Sequence, residues 1–464
     1  MITDLKPYAE YKESGLPWLG QVPGHWEVRP TFGAFAPNRE RNHGMREKTV
    51  LSLSYGRIVI KPTDKLHGLV PESFETYQIV NPGDIILRTT DLQNDHTSLR
   101  VGMVRDRGII TSAYLALKVR SGVVPDFGFQ FLSVWDSSKA IYGYGSGLRQ
   151  NLDFSHFKRM PTVVPPPDEQ AAIVRFLDWA NGRLDRTIRA KRKVISLLNE
   201  QKQAIIHRAV TRGLDPSVPL KDSGVPWLGE IPEHWRLVRN MALFAHRVEP
   251  GCQGLPVLQV SLRSGITEEE LDQFGRQKRL ISDFTKYKRI YGGDIAYNTM
   301  RMWQGAVGVS PSDGLVSPAY VVLRPRVETY SDFYDYLFHT EVYKQEVNRQ
   351  STGIVSDRNR LYWDNFKQMP NVALSHMEQY SIVAFIKAET VGLDTAISRL
   401  EREITLLREY RTRLVADVVT GKLDVREAAA ALPDEEPLAE VTDLPDLDDE
   451  FIDNEDSNDS EMQE

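Results

Sequence analysis

Two long stretches of this chain carry apolar residues at alternating intervals of four and three. Leu184, Ile188, Ile195, Leu198, Ile205 and Ala209 form the first series, and Leu393, Ile397, Leu400, Ile404, Leu407, Leu414 and Val418 the second. That spacing lays one narrow apolar stripe along an α-helix and predicts a partner helix to cover it. The stretches are copies of each other. Adding 209 to a position in 168–211 lands on its counterpart in 377–420, so Glu169-Gln170 becomes Glu378-Gln379 and Leu184-Asp185 becomes Leu393-Asp394. Lys191, and the equivalent positions Lys202 and Arg411, interrupt the stripes. A basic residue in a seam costs stability but fixes register, and its long stem can carry the charge out to water. The two helices are therefore expected to pair with each other.

The same pattern sets the ends of these helices. Pro165-Pro166-Pro167 precedes the first, and proline suits a first helical turn. Ser375-His376-Met377-Glu378 reads as a capping box for the second. Gly213 and Gly421 predict the C-termini. Gly182 and Gly392 predict a break after about three to four turns.

Between the helices the texture changes to short β-branched and aromatic runs separated by Gly, Pro, Asn and Asp. TVLSLSYGRIVI, NPGDIILRTT and GIITSAYLALKV lie in 29–164; LPVLQVSL, YGGDIAYNTM and LVSPAYVVLRP lie in 239–372. This is a strand-and-turn pattern. The two regions share Gly83-Asp84 with Gly293-Asp294, Ala113-Tyr114 with Ala319-Tyr320, and FKRMP with FKQMP at Phe157 and Phe366, while the residues between disagree. A Trp-rich segment precedes each region: KESGLPWLGQVPGHWEV from Lys12 and KDSGVPWLGEIPEHWRLV from Lys221. These read as packed connectors. Their His25 and His234 read as packing beside Trp26 and Trp235, with no carboxylate at a fixed distance in both copies.

Composition changes the picture in one respect. The net charge of the 464 residues is −7, but 433–464 holds fifteen acidic residues and no Lys or Arg. Taking those fifteen from the 64 acidic residues leaves 49 against 57 basic ones, so the body carries +8. A basic body with an acidic, disordered tail fits a polyanion binder. The single cysteine, Cys252, excludes an internal disulfide or a thiolate metal site. No run is long and apolar enough to span a membrane, and the first residues do not form a signal peptide, so a cytoplasmic location is expected.

Catalysis would need a constellation of groups, and none stands out. No Walker loop, metal-ligand cluster or amino-methyltransferase motif is present. Gly143–Gly147 does not sit between a clear strand and helix. Glu200 and Lys202 beside Asp168 imitate a nuclease signature, but lie two apart on a helix and point away from each other. Basic and amide residues remain. In the first region these are Arg39, Arg41, Asn42, Arg57, Lys61, Arg88, Gln93, Asn94, Arg149, Gln150 and Asn151. In the second they are Arg276, Lys278, Arg279, Lys286, Lys288, Arg289, Asn298, Arg301, Gln304, Arg358, Asn359 and Arg360. Arg pairs with guanine, Asn and Gln with adenine, and Lys holds phosphates. Arg149 and Arg358 occupy matching positions and are the leading pair.

The doubled PWLG-x-x-P-x-HW connector, the PPPDEQ and HMEQ helix entries, YNTMRMWQGAVGV and VSPAYVVLRP together make the chain resemble a specificity subunit of a type I restriction–modification system. The resemblance implies an α+β fold. Two pseudo-twofold-related mixed α/β target recognition domains would be separated by two long antiparallel coiled-coil helices. The parts would run as connector 1–28, recognition domain 29–165, helical region 166–213, connector 214–238, recognition domain 239–374, helical region 375–424 and tail 425–464. It implies a non-catalytic subunit whose domains each read one half of a split site in double-stranded DNA. Two modification subunits would dock on it, with restriction subunits as optional further partners. S-adenosylmethionine, Mg and ATP would belong to those partners and not to this chain. Two other readings stay open on the residues alone: a coiled-coil scaffold that never touches DNA, and a stand-alone DNA methyltransferase or nuclease.

Overall fold

The computed structural model describes residues 5–62, 73–90, 99–143, 152–262, 265–268, 284–353 and 359–433. The chain forms two units: Met1–Ile188 with Thr405–Glu464, and Arg189–Ile404. Both seam-bearing stretches are helices, Pro167–Arg212 and His376–Val419. Each helix begins in one unit and ends in the other.

The stripes meet as their period requires. Ile188, Ile397 and Ile404 are buried along the seam, and Ala209, Leu414 and Val418 continue the stripes into the cores of the units, whereas Leu197 and Leu406, one position off the seam, are about half exposed. In the second unit Lys191 Nζ reaches Glu403 at 2.5 Å and Lys202 Nζ reaches Asp394 at 2.6 Å. One helix number rises as the other falls, so the pair is antiparallel. In the first unit Arg411 donates to Asp185, which is the Lys202–Asp394 pair repeated at the offset of 209. All three basic interruptions of the seam thus have a carboxylate on the facing helix. Pairs this accessible add little strength in water, so they act on register.

Neither helix breaks at Gly182 or Gly392. A glycine costs a helix about 1 kcal/mol relative to alanine. The packed seam on either side outweighs that local preference. The C-termini fall where expected, with Gly213 and Gly421 at φ +73° and +76°. A Cβ on Gly421 would lie 2.4 Å from Pro23 Cδ, so this turn is also a close approach of two segments.

The two heads share one frame. In the first unit a four-stranded antiparallel sheet runs in the order Phe35–Pro37, Leu115–Val119, Ile85–Leu87, Val101–Met103. In the second the order is Phe244–Arg247, Tyr320–Pro325, Ile295–Asn298, Val307–Val309. The shared Gly-Asp landmarks are turns. Gly83 and Gly293 take positive φ, and the carboxylates of Asp84 and Asp294 accept from the backbone N–H of Asn81 and Tyr291 at 2.9 and 3.1 Å. Burial raises the pKa of both aspartates.

The Glu-Gln dipeptide at each helix entry ties three parts together. In the first unit Trp26 Nε1 donates to Glu169 Oε1 at 3.0 Å, His25 Nε2 lies 2.8 Å from Oε2, and the Tyr8 hydroxyl donates to Oε1. In the second Trp235 Nε1 donates to Glu378 at 2.9 Å and His234 Nε2 lies 3.0 Å away. A carboxylate therefore does stand at a fixed distance from both histidines, 144 residues on in each copy. It holds the connector to the helix. The neighbouring glutamine holds the head. Gln170 Nε2 donates to Gly122 O and Pro165 O while its Oε1 accepts from Val124 N; Gln379 does the same with Glu328 O, Leu374 O and Tyr330 N. Only half of the expected capping box forms. Ser375 Oγ accepts from Glu378 N at 3.2 Å, but the Glu378 carboxylate is spent on the connector.

The tail begins later than position 425. Arg426–Ala430 is a short helix, Val425 and Ala429 are buried, and Asp424 N donates to Lys6 O at 2.8 Å. Those two apolar side chains join the core of the first unit, which an acidic tail could not do. The acidic residues of 434–464 lie outside the described residues. Among the described residues no helix is long and apolar enough to cross a membrane.

Candidate nucleic-acid interface

In the first head, Arg57 and Lys61 sit exposed on and just beyond a hairpin of Leu51–Ser54 and Arg57–Ile60, beside exposed Tyr55 and Ile60. Arg39 and Arg41 are also exposed, the latter donating to Thr76 O at 3.2 Å. Arg88 is half-buried. Asn42 is a correction. It is fully buried, its Nδ2 donates to Glu47 O at 2.9 Å and its Oδ1 accepts from Glu47 N at 3.0 Å. An amide satisfied inside its own loop is not offered to DNA.

In the second head Lys286 and Gln304 are exposed, and Arg289 and Arg301 are partly exposed. The Arg289 guanidinium lies 4.6 Å from the centre of the Tyr291 ring. Asn298 is turned to local work, its Oδ1 accepting from Met300 N at 3.0 Å. Asn359 Nδ2 reaches Asn348 Oδ1 at 3.3 Å. Gln93, Asn94, Arg149, Gln150, Asn151, Arg276, Lys278, Arg279 and Arg358 lie outside the described residues, the leading pair Arg149 and Arg358 among them.

The structure brings two of the predicted residues together. Lys288 and Arg360 line one cavity of about 420 Å³ in the second head. Lys288 Nζ donates to Tyr320 O at 2.6 Å, which leaves two of its three N–H groups for other acceptors. Arg360 is held by its backbone to Thr352, with 3.0 Å bonds in both directions, and its side chain is exposed. The rest of the lining is not among the site residues expected from sequence: it includes His246, Met300, Tyr362, Trp363 and the carboxylate of Asp364, with Thr299, Pro318, Ala319 and Val321. His246 stacks on Trp363 with ring centres 5.2 Å apart and planes 24° from parallel. Burial lowers the pKa of His246, the Lys288 charge lowers it further, and burial lowers that of Lys288 as well. Hydrogen-bond donors beside flat apolar surfaces suit recognition of a group rich in acceptors. Among the described residues, no group of three or more His, Cys, Asp or Glu is placed to hold a metal ion.

No family model matches the sequence, and no curated protein does. Solved structures do match. A chain from work on complex assembly and conformational transition of the type I R-M system aligns with a TM-score of 0.59 at 14% identity, over 87% of this chain and 99% of that one. The HsdS subunit from Thermoanaerobacter tengcongensis aligns at 13% identity over 87% and 98%, with a TM-score of 0.41. The type I restriction-modification S subunit from M. genitalium aligns at 11% over 85% and 96%, with a TM-score of 0.33. At these identities the first of the three establishes the fold: this chain is built, over nearly its whole described length, like a chain of a type I R-M assembly.

Proposed function

We propose that this chain is the specificity subunit of a type I restriction–modification complex. Each head reads one half of a bipartite, asymmetric site in double-stranded DNA. The paired helices set the spacer and carry the docking of two modification subunits. The chain performs no reaction itself, and S-adenosylmethionine, Mg and ATP belong to the modification and restriction partners. The observation that supports this most is the repeat. Two units share a sheet order and a Glu-Gln joint but differ in the exposed basic and aromatic residues of their heads. One frame with two different readers suits two unlike half-sites, and a scaffold has no use for the difference. Base-edge contacts by Arg, Lys and amides would specify sequence, and the remaining cations would hold phosphates.

The test is a map of methylated adenines on random-sequence DNA exposed to this chain with its modification partner. Two short specified blocks separated by a fixed unspecified spacer are expected. One contiguous block, or methylation without sequence preference, would remove the proposal. Methyl transfer or DNA cleavage by the isolated chain would replace it with an enzyme.

The acidic tail adds a second expectation. Deleting 434–464 removes all fifteen acidic residues counted there and leaves a basic body. Non-specific DNA affinity should rise and depend more steeply on salt. The thermal transition and the methylated motif should not change, since the last residue of the first unit's core is Ala429, ahead of the deleted segment. A changed motif would assign the tail a part in reading.

A further inference from the structure

The cavity of the second head stands at the point where the two heads diverge. Strand register gives its counterparts in the first head. Pro37 and His246 pair with Leu117 and Leu323 on the matching central strands. Gln78 and Lys288 pair with Ile110 and Val316. The wall behind is shared: Thr89 O accepts from Leu152 N at 2.8 Å, and Thr299 O from Leu361 N at 2.9 Å. The lining has changed and the wall has not.

Two of the changes carry a physical signature. Gln78 and Lys288 do the same structural task, because Gln78 Nε2 donates to Tyr114 O at 2.7 Å and Lys288 Nζ to Tyr320 O at 2.6 Å. A neutral amide is sufficient for that bond, so the positive charge at 288 is additional to it. The second change is at a helix start. Asp153 caps Phe154–Phe157 through its side chain, whereas Tyr362, at the same place before Trp363–Phe366, makes no side-chain cap. Aspartate is among the preferred N-cap residues and is favourable at a helix N-terminus. The second head gives up that cap for a Tyr that is 48% exposed on the cavity wall, next to Met300 at 41%. Departures from local preference of this kind concentrate at functional sites.

We infer that this cavity reads one G·C pair of the second half-site: Lys288 and Arg360 donate to the O6 and N7 acceptors of a guanine in the major groove, and Tyr362 and Met300 cover its apolar flank. The donor excess selects guanine, the base whose major-groove edge presents two acceptors. Asp364, the carboxylate on the wall, is paired with Lys367 at 2.6 Å. His246, whose Nε2 has no hydrogen-bond partner among the described residues, backs the site through its stack on Trp363. This rests on the proposed reading of DNA by the chain.

The first head supplies the variants. Lys288→Gln retains the bond to the Tyr320 carbonyl, as Gln78 shows, and Tyr362→Asp restores the cap that Asp153 makes. The full chain with its modification partner is tested by methylation of a library that varies every position of both half-sites. For wild type a guanine is expected to be required at one position of the second half-site. In the double variant, discrimination there should fall on the order of 10- to 100-fold. The first half-site should stay as strict as before, and Tyr362→Asp alone should melt no lower than wild type. A uniform loss across all sequences would make Lys288 a phosphate contact and overturn the inference, as would unchanged discrimination. If the wild-type complex itself shows no bipartite motif, the proposed function has failed, and the outcome is distinguishable from a failure of the cavity alone.

Discussion

Replacing Glu169 by alanine should destabilise the first unit by about 3–5 kcal/mol, the cost of leaving buried polar groups without their partner. The Glu169 side chain is 3% exposed and serves three groups at once: the Trp26 indole, the Tyr8 hydroxyl and His25. Trp26 is fully buried and Tyr8 nearly so, and neither has water at hand to replace the carboxylate. Glu378 does the same work in the second unit but is 27% exposed and has no counterpart of Tyr8 among the bonds it makes. Its alanine variant should cost about 1–2 kcal/mol. Glu169→Gln keeps an acceptor and should fall between wild type and Glu169→Ala. Urea unfolding followed by tryptophan fluorescence reads the difference. Equal midpoints for the two alanine variants would mean that the joints are not carried by buried hydrogen bonds.

Inserting one residue between Ile195 and Ser196 should have the next largest effect. It turns everything beyond it on that helix by about 100°. Leu198, Lys202 and Ile205 then leave the seam, and Lys202 loses Asp394. Ile206, Ala209 and Val210 are already committed to the core around Trp235, so the helix cannot rotate freely to recover. Burying a side chain of this size is worth about 1.5–3 kcal/mol. Loss of part of that at two seam positions, with a strained core beyond, should cost several kcal/mol and abolish site-specific methylation. An unchanged unfolding midpoint would show that a local π-bulge absorbs the residue and that the seam is not under tight register.

The helices, their pairing and the doubled connectors were legible because each leaves a periodic or repeated mark along the chain. The seam at Leu184 to Ala209 needs only its own spacing to be seen, and Trp26 and Trp235 only the offset of 209. The Glu169 joint was not legible in that way, since 144 residues separate it from His25 and folding alone brings them together. The cavity escaped for the same reason: His246, Lys288, Met300 and Tyr362 come from four separate segments. A signal was available in the positions where an otherwise shared frame changes type, such as Gln78 to Lys288 and Asp153 to Tyr362. Asn42 looks like a reader in the sequence because composition does not tell a loop's internal bonds from its free ones. Gly182 and Gly392 were misleading, because a local helix preference of about 1 kcal/mol is smaller than the tertiary packing around it.

Under the proposed function, the paired helices set the spacer between the two half-sites. Leu184 to Thr211 is 28 residues, about 42 Å at the helical rise. That length corresponds to roughly 12 base pairs of duplex, close to the one-turn spacing that lets two domains meet the same face of DNA. Four residues inserted near Ile195 keep the seam nearly in phase and add about 6 Å. The deciding measurement is methylation of a DNA library in which only the spacer between the half-sites varies, with the wild-type and the four-residue variant complexes side by side. The variant is expected to keep both half-sites and to prefer a spacer longer by about one or two base pairs. Activity of the variant on the original spacer alone would contradict the account, because the helices would then not set the distance.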